Sequence, residues 1–218
     1  LGDKKLLQQG AFMESGATDM LSINIVKGVK DGLSDPKSIM INASLAKAFF
    51  GDADPINQIL RLDDNHDLKV TGVYEDFPRN DFFANLHFIL PWKLYLITEP
   101  WVEKMENPWG SNFTQTYAQI ADNADMGVVS RKIRNVKYDA IPKDERRYNP
   151  QMFLHPMRKW HLYEEFENGV NIGGRIQYVW LFGIIGIFVL LLACINFMNL
   201  STARSEKRAK EVGVRKAI

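Results

Sequence analysis

Three oxygen-bearing side chains at alternate positions, Asp63, Asn65 and Asp67, have the spacing that begins a calcium-binding EF-hand loop. Such a loop needs Gly at its sixth position and Glu at its twelfth, where this sequence has Leu68 and Tyr74. The match fails at the two positions where the loop geometry is strictest. We therefore interpret the segment as a solvated hairpin turn.

The other residue types that support catalysis or metal binding do not form a set. The chain has four histidines, none in an H-x-x-x-H or H-x-H arrangement, namely His66, His87, His155 and His161. Ser44 and Ser111 lack a G-x-S-x-G turn, and no G-K-[ST] follows Gly173 and Gly174. We expect no catalytic, cofactor or metal site and no nucleic-acid partner. Structural roles are predicted for His87 and His161.

One stretch differs from the rest of the chain in its lack of charge. No Asp, Glu, Lys or Arg occurs between Arg175 and Arg204, and residues 179–195 are almost continuously aliphatic or aromatic. As a helix, residues 176–203 would extend about 42 Å, which exceeds the roughly 30 Å of hydrocarbon in a bilayer. The stretch predicts a transmembrane helix. The alternative, a buried core helix, rarely needs so long a charge-free run.

The charges on either side predict the orientation of this helix. Residues 204–218 have a net charge of +4, whereas residues 1–175 have a net charge of −3. Because basic residues stay on the cytoplasmic side, we expect a cytoplasmic tail and an extracytoplasmic domain at 1–175 in the bacterial inner membrane. Tyr178 and Trp180 lie where an interfacial aromatic belt would form on the outer side.

The cysteine content and the ends of the chain add two expectations. The sole cysteine, Cys194, lies inside the apolar stretch, so packing rather than disulfides must stabilise the extracytoplasmic domain. The first ten residues, LGDKKLLQQG, have neither an initiator Met nor an apolar signal sequence. Since export of the domain needs something upstream, we expect a fragment that lacks an earlier transmembrane helix and everything after residue 218.

The extracytoplasmic part alternates strand and helix patterns. Residues 38–51 predict a strand and then a helix that Asn42 caps and Gly51 ends. Residues 58–76 predict a β-hairpin, and residues 82–91 predict another strand. The second strand of the hairpin presents two alternating sets of side chains, namely Leu68, Val70, Gly72 and Tyr74 against Lys69, Thr71 and Val73.

The residues after this hairpin and strand predict a second lobe. Residues 114–121 and 151–155 have strand patterns, and the helix between them carries an apolar stripe of Met126, Val129, Ile133 and Val136. We predict an α+β fold: a two-lobed extracytoplasmic domain followed by one transmembrane α-helix. The predicted boundaries are about 12–98 plus 151–168 for lobe A, about 112–150 for lobe B, 176–203 for the helix and 204–218 for the tail.

Small and polar residues mark two parts of the predicted transmembrane helix. At 100° per residue, Gly183, Gly186 and Ala193 fall within about 80° of one another, so another helix could pack closely there. The alternative is that these small residues face lipid by chance. Asn196 and Asn199 lie near the cytoplasmic end, where they could join helices by hydrogen bonds or mark the exit into the headgroups.

The tail carries the most specific pattern in the sequence. RSEKRAKEVGVRKAI resembles the cytoplasmic end of the second transmembrane helix in FtsX/MacB-type ABC transporter permeases, where R-x-K-E-[IV]-G-[IV]-R-[KR]-A-[IL]-G follows and docks on the ATPase. The matching residues are Arg208, Lys210, Glu211, Val212, Gly213, Val214, Arg215, Lys216, Ala217 and Ile218. The alternative is a stop-transfer signal that binds anionic lipid.

Two extracytoplasmic segments are similar to motifs of the same family. SIMINASLAKAFFGDADPINQILRL resembles the strand, helix and turn of the periplasmic core domain, with Asn57 where Gly is usual. KVTGVYEDFPRNDFF resembles V-x-G-V-x-x-D-x-P-x-N-S-x-F, with Asp81 in place of the common Ser. The three motifs occur in the family's order, and the resemblance covers nearly the whole chain.

The resemblance implies a non-catalytic permease subunit. It would work as a dimer with a cytosolic ATPase on a separate chain, in contact with membrane lipid, and ATP hydrolysis would move an extracytoplasmic domain that acts on export substrates or a periplasmic partner protein. Glu211 and Arg215 could pair within the helix or bind charged groups on the ATPase. The alternatives are a membrane-anchored sensor that signals through the same helix, and an anchored hydrolase with a polar catalytic cluster.

Overall fold

The computed structural model describes residues 4–217, which form two compact units, one ending at His155 and one beginning at Pro156. The first is an α+β domain and the second ends in one long apolar helix. This confirms the predicted fold class. The boundaries of the two lobes stay a prediction.

A mixed six-stranded sheet forms the centre of the first unit. Its strands occur in the order β1-β6-β3-β5-β2, and β4 also pairs with β5. The elements are β1 (Gly10–Met13), α1 (Ala17–Met20), β2 (Ile25–Gly28), β3 (Ser38–Asn42), α2 (Ala43–Phe50), β4 (Ile59–Leu62), β5 (His66–Tyr74), β6 (Phe88–Pro91), α3 (Trp92–Thr98), α4 (Pro100–Glu103), α5 (Met126–Ile133) and α6 (Val136–Ala140). β3 is parallel to β5 and antiparallel to β6, so the central strands mix both directions.

The sheet has an apolar core on each face. Ile39 and Ile41 of β3 pack with Leu45 and Phe50 of α2 on one face. Met40, which lies between the two isoleucines, packs on the opposite face with Tyr74 and other residues. Because both faces are covered, every residue of β3 is buried, as expected for a central strand that reads as an apolar run.

The predicted strand and helix at 38–51 are confirmed in detail. The side chain of Asn42 accepts a hydrogen bond from the backbone N–H of Leu45 at 2.9 Å, which is the N-cap geometry. Gly51 follows the helix with a φ of 61° and donates its N–H to the carbonyl of Lys47. The predicted hairpin at 58–76 is also confirmed as β4 and β5, with the turn at the polar DDNHD residues.

The alternation predicted for β5 is wrong in its second half because the strand contains a β-bulge. Ile39 pairs with Val70 and Met40 pairs with Gly72, so Thr71 is an extra residue in the ladder. The bulge reverses the side-chain faces, so Val73 packs in the same cluster as Val70, and Tyr74 packs in the other. The hydroxyl of Thr71 donates to the carbonyl of Gly32 at 2.8 Å.

The strands predicted at 114–121 and 151–155 are wrong, and that predicted at 82–91 is shorter. A strand needs a neighbouring strand to accept its backbone hydrogen bonds. In residues 151–155 the backbone N–H groups bond to other acceptors instead. Met152 donates to the carbonyl of Arg134 at 2.9 Å, and Leu154 donates to the hydroxyl of Ser130 at 3.0 Å.

The apolar stripe predicted for one helix is divided between two helices, since α5 ends at Ile133 and α6 begins at Val136.

The second unit contains a short hairpin and the long helix. The elements are β7 (Glu165–Glu167), β8 (Val170–Gly173) and α7 (Ile176–Ala217). The turn between the two strands consists of Asn168 and Gly169, which have φ values of 49° and 76°. Asn-Gly with both φ values positive is the preferred sequence for a two-residue hairpin turn.

The family's usual Gly is replaced by Asn57 at a position that needs a left-handed backbone. Asn57 has a φ of 65° and is exposed, and its N–H donates to the carbonyl of Val70 at 2.8 Å. Asn is the non-glycine residue that adopts this conformation most readily. The replacement therefore keeps the turn that leads from α2 into β4.

We predict effects of different size for two substitutions of Asn57. Asn57→Gly should change the free energy of unfolding by no more than about 0.5 kcal/mol, while Asn57→Val should destabilise by about 1–2 kcal/mol because a branched side chain is strained at positive φ. Thermal unfolding of the full-length protein in detergent measures both. Equal stability of the two variants would contradict the left-handed turn.

Candidate functional site

The long helix α7 joins the uncharged stretch to the basic tail without interruption. Its 42 residues correspond to a length of about 63 Å. From Gln177 to Lys216 every side chain is exposed, including Trp180 at 68% and Phe197 at 74%. Leaving one such side chain in water costs roughly 1.5–3 kcal/mol, so this surface needs lipid or other protein around it. The helix is long and apolar enough to span a membrane.

The small residues of α7 lie on an open surface. A Cβ atom built on Gly183 or Gly186 would meet no other atom within 4 Å. Ala193 lies on the same side of the helix, so these three residues leave room for the backbone of another helix to approach. Asn196 and Asn199 are exposed nearer the tail, and the hydroxyl of Thr202 donates to the carbonyl of Met198 at 2.9 Å. The packing role of these residues stays a prediction.

Four of the eight charged residues of the tail form a row along one side of α7. At 100° per residue, Arg204, Arg208, Glu211 and Arg215 fall within about 60° of one another. All four side chains are exposed, and among residues 4–217 no ion pair within 4 Å involves Glu211 or Arg215. Their charges are therefore available to a partner. Lys210, Val212, Val214 and Lys216 are also exposed, and Gly213 has open space around it.

A polar cluster at the end of β3 connects the two extracytoplasmic motifs, which are residues 38–62 and 69–83. The carboxylate of Asp76 accepts hydrogen bonds from the side-chain amide of Asn42, from the hydroxyl of Ser44 at 2.8 Å and from the backbone N–H of Ser44 at 3.2 Å. The amide of Asn42 also lies 3.2 Å from Nδ1 of His87. Asp76 thus meets the N-terminus of α2, where a negative charge is stabilising. The contact gives His87 a partner within the fold, and its predicted structural role stays a prediction.

The fully buried Tyr74 supports the same end of the sheet. Its hydroxyl donates to the carbonyl of Leu86 at 2.9 Å. Burial, with a smaller contribution from the charge of Asp76, raises the pKa of this phenol, so the hydroxyl stays protonated and keeps its hydrogen bond.

Two carboxylates at the β4–β5 turn, those of Asp64 and Asp67, form ion pairs. Arg61 binds Asp67 through two hydrogen bonds of 2.6 and 3.0 Å, and Lys5 lies 2.8 Å from Asp64. These hydrogen bonds lower the pKa of both Asp67 and Asp64. Asp63 and Asp64 have positive φ values, as in a tight turn. The segment forms the hairpin turn predicted from the sequence.

No other group in the described part of the chain resembles a metal site. Among residues 4–217, no three side chains of His, Cys, Asp or Glu are arranged to hold a metal ion. Cys194 is a free thiol on the apolar part of α7. The surface of α7 and its tail are the features for which the sequence predicts a function.

Comparison with known proteins assigns the family. The family model of the MacB-like periplasmic core domain matches residues 2–136, which is more than half of the chain. The chain belongs to this family. It is thus a MacB-like domain of an FtsX/MacB-type ABC transporter permease, with an apolar helix after it. Together these features indicate an inner-membrane protein with an extracytoplasmic domain.

Solved structures with the same kind of domain were also found. A permease-protein domain from Porphyromonas gingivalis matches with 19% identity over 64% of this chain and 63% of that chain, at a TM-score of 0.46. The periplasmic region of MacB from Actinobacillus actinomycetemcomitans matches with 14% identity over 63% of this chain and 59% of that one, also at 0.46. The chain thus spans about three fifths of the length of these relatives. No curated protein matches the sequence.

The MacB-like motifs have structural roles that sequence reasoning missed or only partly assigned. Asp81, where the family commonly has Ser, accepts the backbone N–H of Phe83 at 2.8 Å, which a serine hydroxyl could also do. The role of the motif's Asp76 at the start of α2 was not predicted. The only signal was the Asp in the motif V-x-G-V-x-x-D-x-P, whose contact with α2 the local pattern does not show.

We predict that removal of Asp76 destabilises the MacB-like domain. Asp76→Ala leaves the buried amide of Asn42 without this acceptor and the N-terminus of α2 without its charge, at a cost of about 1–3 kcal/mol. Ser44→Ala is the matched control, because it removes one hydrogen bond only and should cost less. Thermal unfolding of the full-length protein compares the two. A larger effect of Ser44→Ala would contradict the role given to Asp76.

Proposed function

We propose that the chain is part of a non-catalytic permease subunit that couples ATP hydrolysis in the cytosol to movement of its extracytoplasmic domain. The ATPase is a separate chain, and the moving domain acts on export substrates or on a periplasmic partner protein. The observation that carries the proposal is the continuity of α7, which joins the apolar span and the coupling motif in one helix. The alternative function, a sensor, would use the same helix to signal inward.

The orientation follows from charge. The tail after the apolar stretch has six basic and two acidic residues, whereas the preceding 175 residues are slightly acidic. Moving such a tail across a membrane is opposed by the positive-inside rule, so residues 204–218 are cytoplasmic and residues 1–175 are extracytoplasmic. This orientation places the coupling motif on the side where ATP is available.

An unbroken helix is suited to transmit a displacement. Each backbone N–H of an α-helix bonds to the carbonyl four residues earlier, so the element resists stretching and compression along its axis. The described part of α7 contains no proline, the residue that most often kinks a helix. A movement of the tail is therefore carried through the membrane to the residues before Ile176.

The row of charges specifies how the tail binds the ATPase. Arg204, Arg208 and Arg215 present guanidinium groups that can form bidentate pairs with carboxylates, and Glu211 lies among them. A complementary surface therefore has acidic groups along most of its length and one basic group opposite Glu211. Anionic lipid, the alternative ligand, would bind the arginines but repel Glu211.

The small residues of α7 support assembly within the membrane. Gly183, Gly186 and Ala193 let another helix approach closely, and Asn196 and Asn199 can donate and accept hydrogen bonds across the contact. The partner helix belongs either to the same membrane domain or to the second permease of a dimer. The remaining exposed residues of the span contact lipid.

Charge reversal in the tail tests the coupling function. Full-length protein should capture its ATPase in a pull-down, and Glu211→Lys or Arg215→Glu should lower the captured amount at least about tenfold, because each reversal places like charges in contact. Glu206→Lys and Lys207→Glu make the same changes in net charge outside the motif. These two control variants should capture the ATPase as the unmodified protein does.

The outcomes separate the possible functions. Loss with the motif variants and not with the controls supports a permease subunit docked through this tail. Equal loss with Arg215→Glu and Lys207→Glu, and no loss with Glu211→Lys or Glu206→Lys, would show that only net charge matters, as expected for lipid attraction. Failure of the unmodified protein to capture an ATPase would favour the sensor.

A further inference from the structure

Helix α3 is apolar on the side that packs against the sheet and also on the side that does not. Leu94 is buried, and the ring centroid of Tyr95 lies 5.0 Å from that of Phe12 in β1. The other side of the helix presents Leu96, which is half-buried, and Ile97, which is exposed by 62%. An exposed apolar surface of this kind is typical of an interaction site.

An open groove runs along this second side of α3. Its volume is about 450 Å³, and residues from α3, α4 and the segment before β3 line it, namely Pro36, Lys93, Leu96, Ile97, Pro100 and Glu103. The lining residues at 93, 96, 97, 100 and 103 have the spacing of one helix face. We call these five residues the α3–α4 face.

The α3–α4 face has opposite charges at its two ends. Lys93 is the second residue of α3 and Glu103 is the last residue of α4, and at 1.5 Å per residue the ten steps between them span about 15 Å. Both side chains are exposed, and among residues 4–217 no ion pair within 4 Å involves either of them. A cation in the first turn opposes the helix dipole, so Lys93 does not stabilise α3 locally. The two charges are available to a partner.

A face with this layout is complementary to itself when two copies meet in antiparallel orientation. Rotation by 180° about an axis near Ile97 places Lys93 of each copy opposite the partner's Glu103. The exposed Ile97 of each copy then enters the groove of the other. A parallel arrangement would place like charges together, which is unfavourable. Anionic lipid would bind Lys93 but repel Glu103.

We propose that the extracytoplasmic domains of two copies of this chain contact each other through their α3–α4 faces. Five side chains per copy are fewer than the roughly 20–30 residues per partner of a stable interface, so the contact is weak between free domains. Two copies held in one membrane assembly meet at an effective concentration on the order of millimolar, where a weak contact forms. The inference rests on the proposed function in one respect, namely that two permease copies form a dimer.

Disulfide formation between introduced cysteines tests the antiparallel contact. The host is the full-length protein in membranes with its ATPase, with Cys194→Ser and no other native cysteine, and it is oxidised both without nucleotide and after trapping by vanadate. Ile97→Cys lies nearest the two-fold axis and should cross-link to itself in at least one state, because a disulfide needs Cα atoms within about 7 Å. The control is Lys47→Cys, exposed on α2, which should give at least about tenfold less dimer.

The two ends of the face give a pattern that only the antiparallel arrangement produces. Lys93→Cys alone and Glu103→Cys alone should not cross-link, because each lies far from its own counterpart in the other copy. The two substitutions together should cross-link the copies. A disulfide within one chain is excluded, since the two positions are about 15 Å apart.

Charge reversal tests the pairing of Lys93 with Glu103. In the Ile97→Cys protein, Lys93→Glu or Glu103→Lys should lower the cross-linked fraction at least about threefold, because like charges then face each other. The double variant restores opposite charges and should recover the cross-linking. Lys47→Glu makes the same change in net charge as Lys93→Glu outside the face and should have no effect.

Co-purification of two differently tagged copies separates the possible failures. Copies that co-purify without cross-linking of Ile97→Cys in either nucleotide state would overturn the inference and leave the dimer of the proposed function intact. Protection of Ile97→Cys from a maleimide without a cross-linked dimer would also overturn it, since lipid or another protein would then cover the face. Cross-linking of Lys93→Cys alone as strong as that of Ile97→Cys would overturn the antiparallel arrangement. Copies that do not co-purify would contradict the proposed dimer as well.

Discussion

The absence of charge from residues 176–203 is the constraint on which the rest of the structure depends. A helix with apolar side chains on all sides is unstable in water, so its environment must be lipid and other membrane helices. The same helix continues without a break into the charged residues of the tail. This helix is long and apolar enough to span a membrane, and it connects the residues before Ile176 to those after Ala203 as one element.

The MacB-like domain is built around a contact between its two motifs. Asp76, which follows β5, binds the start of α2, which follows β3, and these two strands are parallel neighbours. The carboxylate of Asp76 thus accepts hydrogen bonds from Ser44 at the N-terminus of α2 and from the side-chain amide of the buried Asn42. The motif residues of the extracytoplasmic part thus have structural roles at the junction of β3, β5 and α2.

Local signals in the sequence were sufficient for some elements and insufficient for others. The helix capped by Asn42 and ended by Gly51, the β4–β5 hairpin and the long apolar helix follow from patterns within a few residues. The bulge at Thr71 could not be predicted, because it depends on the register between β5 and β3. Residues 151–155 look like a strand but bond to α5, since strand formation depends on a neighbour that the local pattern does not show. The Asn168-Gly169 turn was a local signal that was overlooked.

The same contrast between local signals and distant contacts applies to the candidate site. The residues of the tail were identified from their order in the sequence, but their arrangement as a row of arginines around Glu211 depends on the helix continuing past residue 203. The ion pair between Arg175 and Glu164 and the buried Gly174 link segments about ten residues apart. These contacts depend on the path of residues 156–175 over the start of α7, which the periodicity of apolar residues in the sequence does not reveal.

The distance between extracytoplasmic domains during the ATPase cycle tests the central claim most directly. A spin label on Lys47→Cys, exposed on α2, would be placed in full-length dimers with Cys194→Ser, bound to their ATPase. Pulsed electron resonance then compares the nucleotide-free complex with the complex trapped by vanadate. The account predicts two different distance distributions. Identical distributions in a complex that still hydrolyses ATP would contradict the coupling of ATP hydrolysis to extracytoplasmic movement.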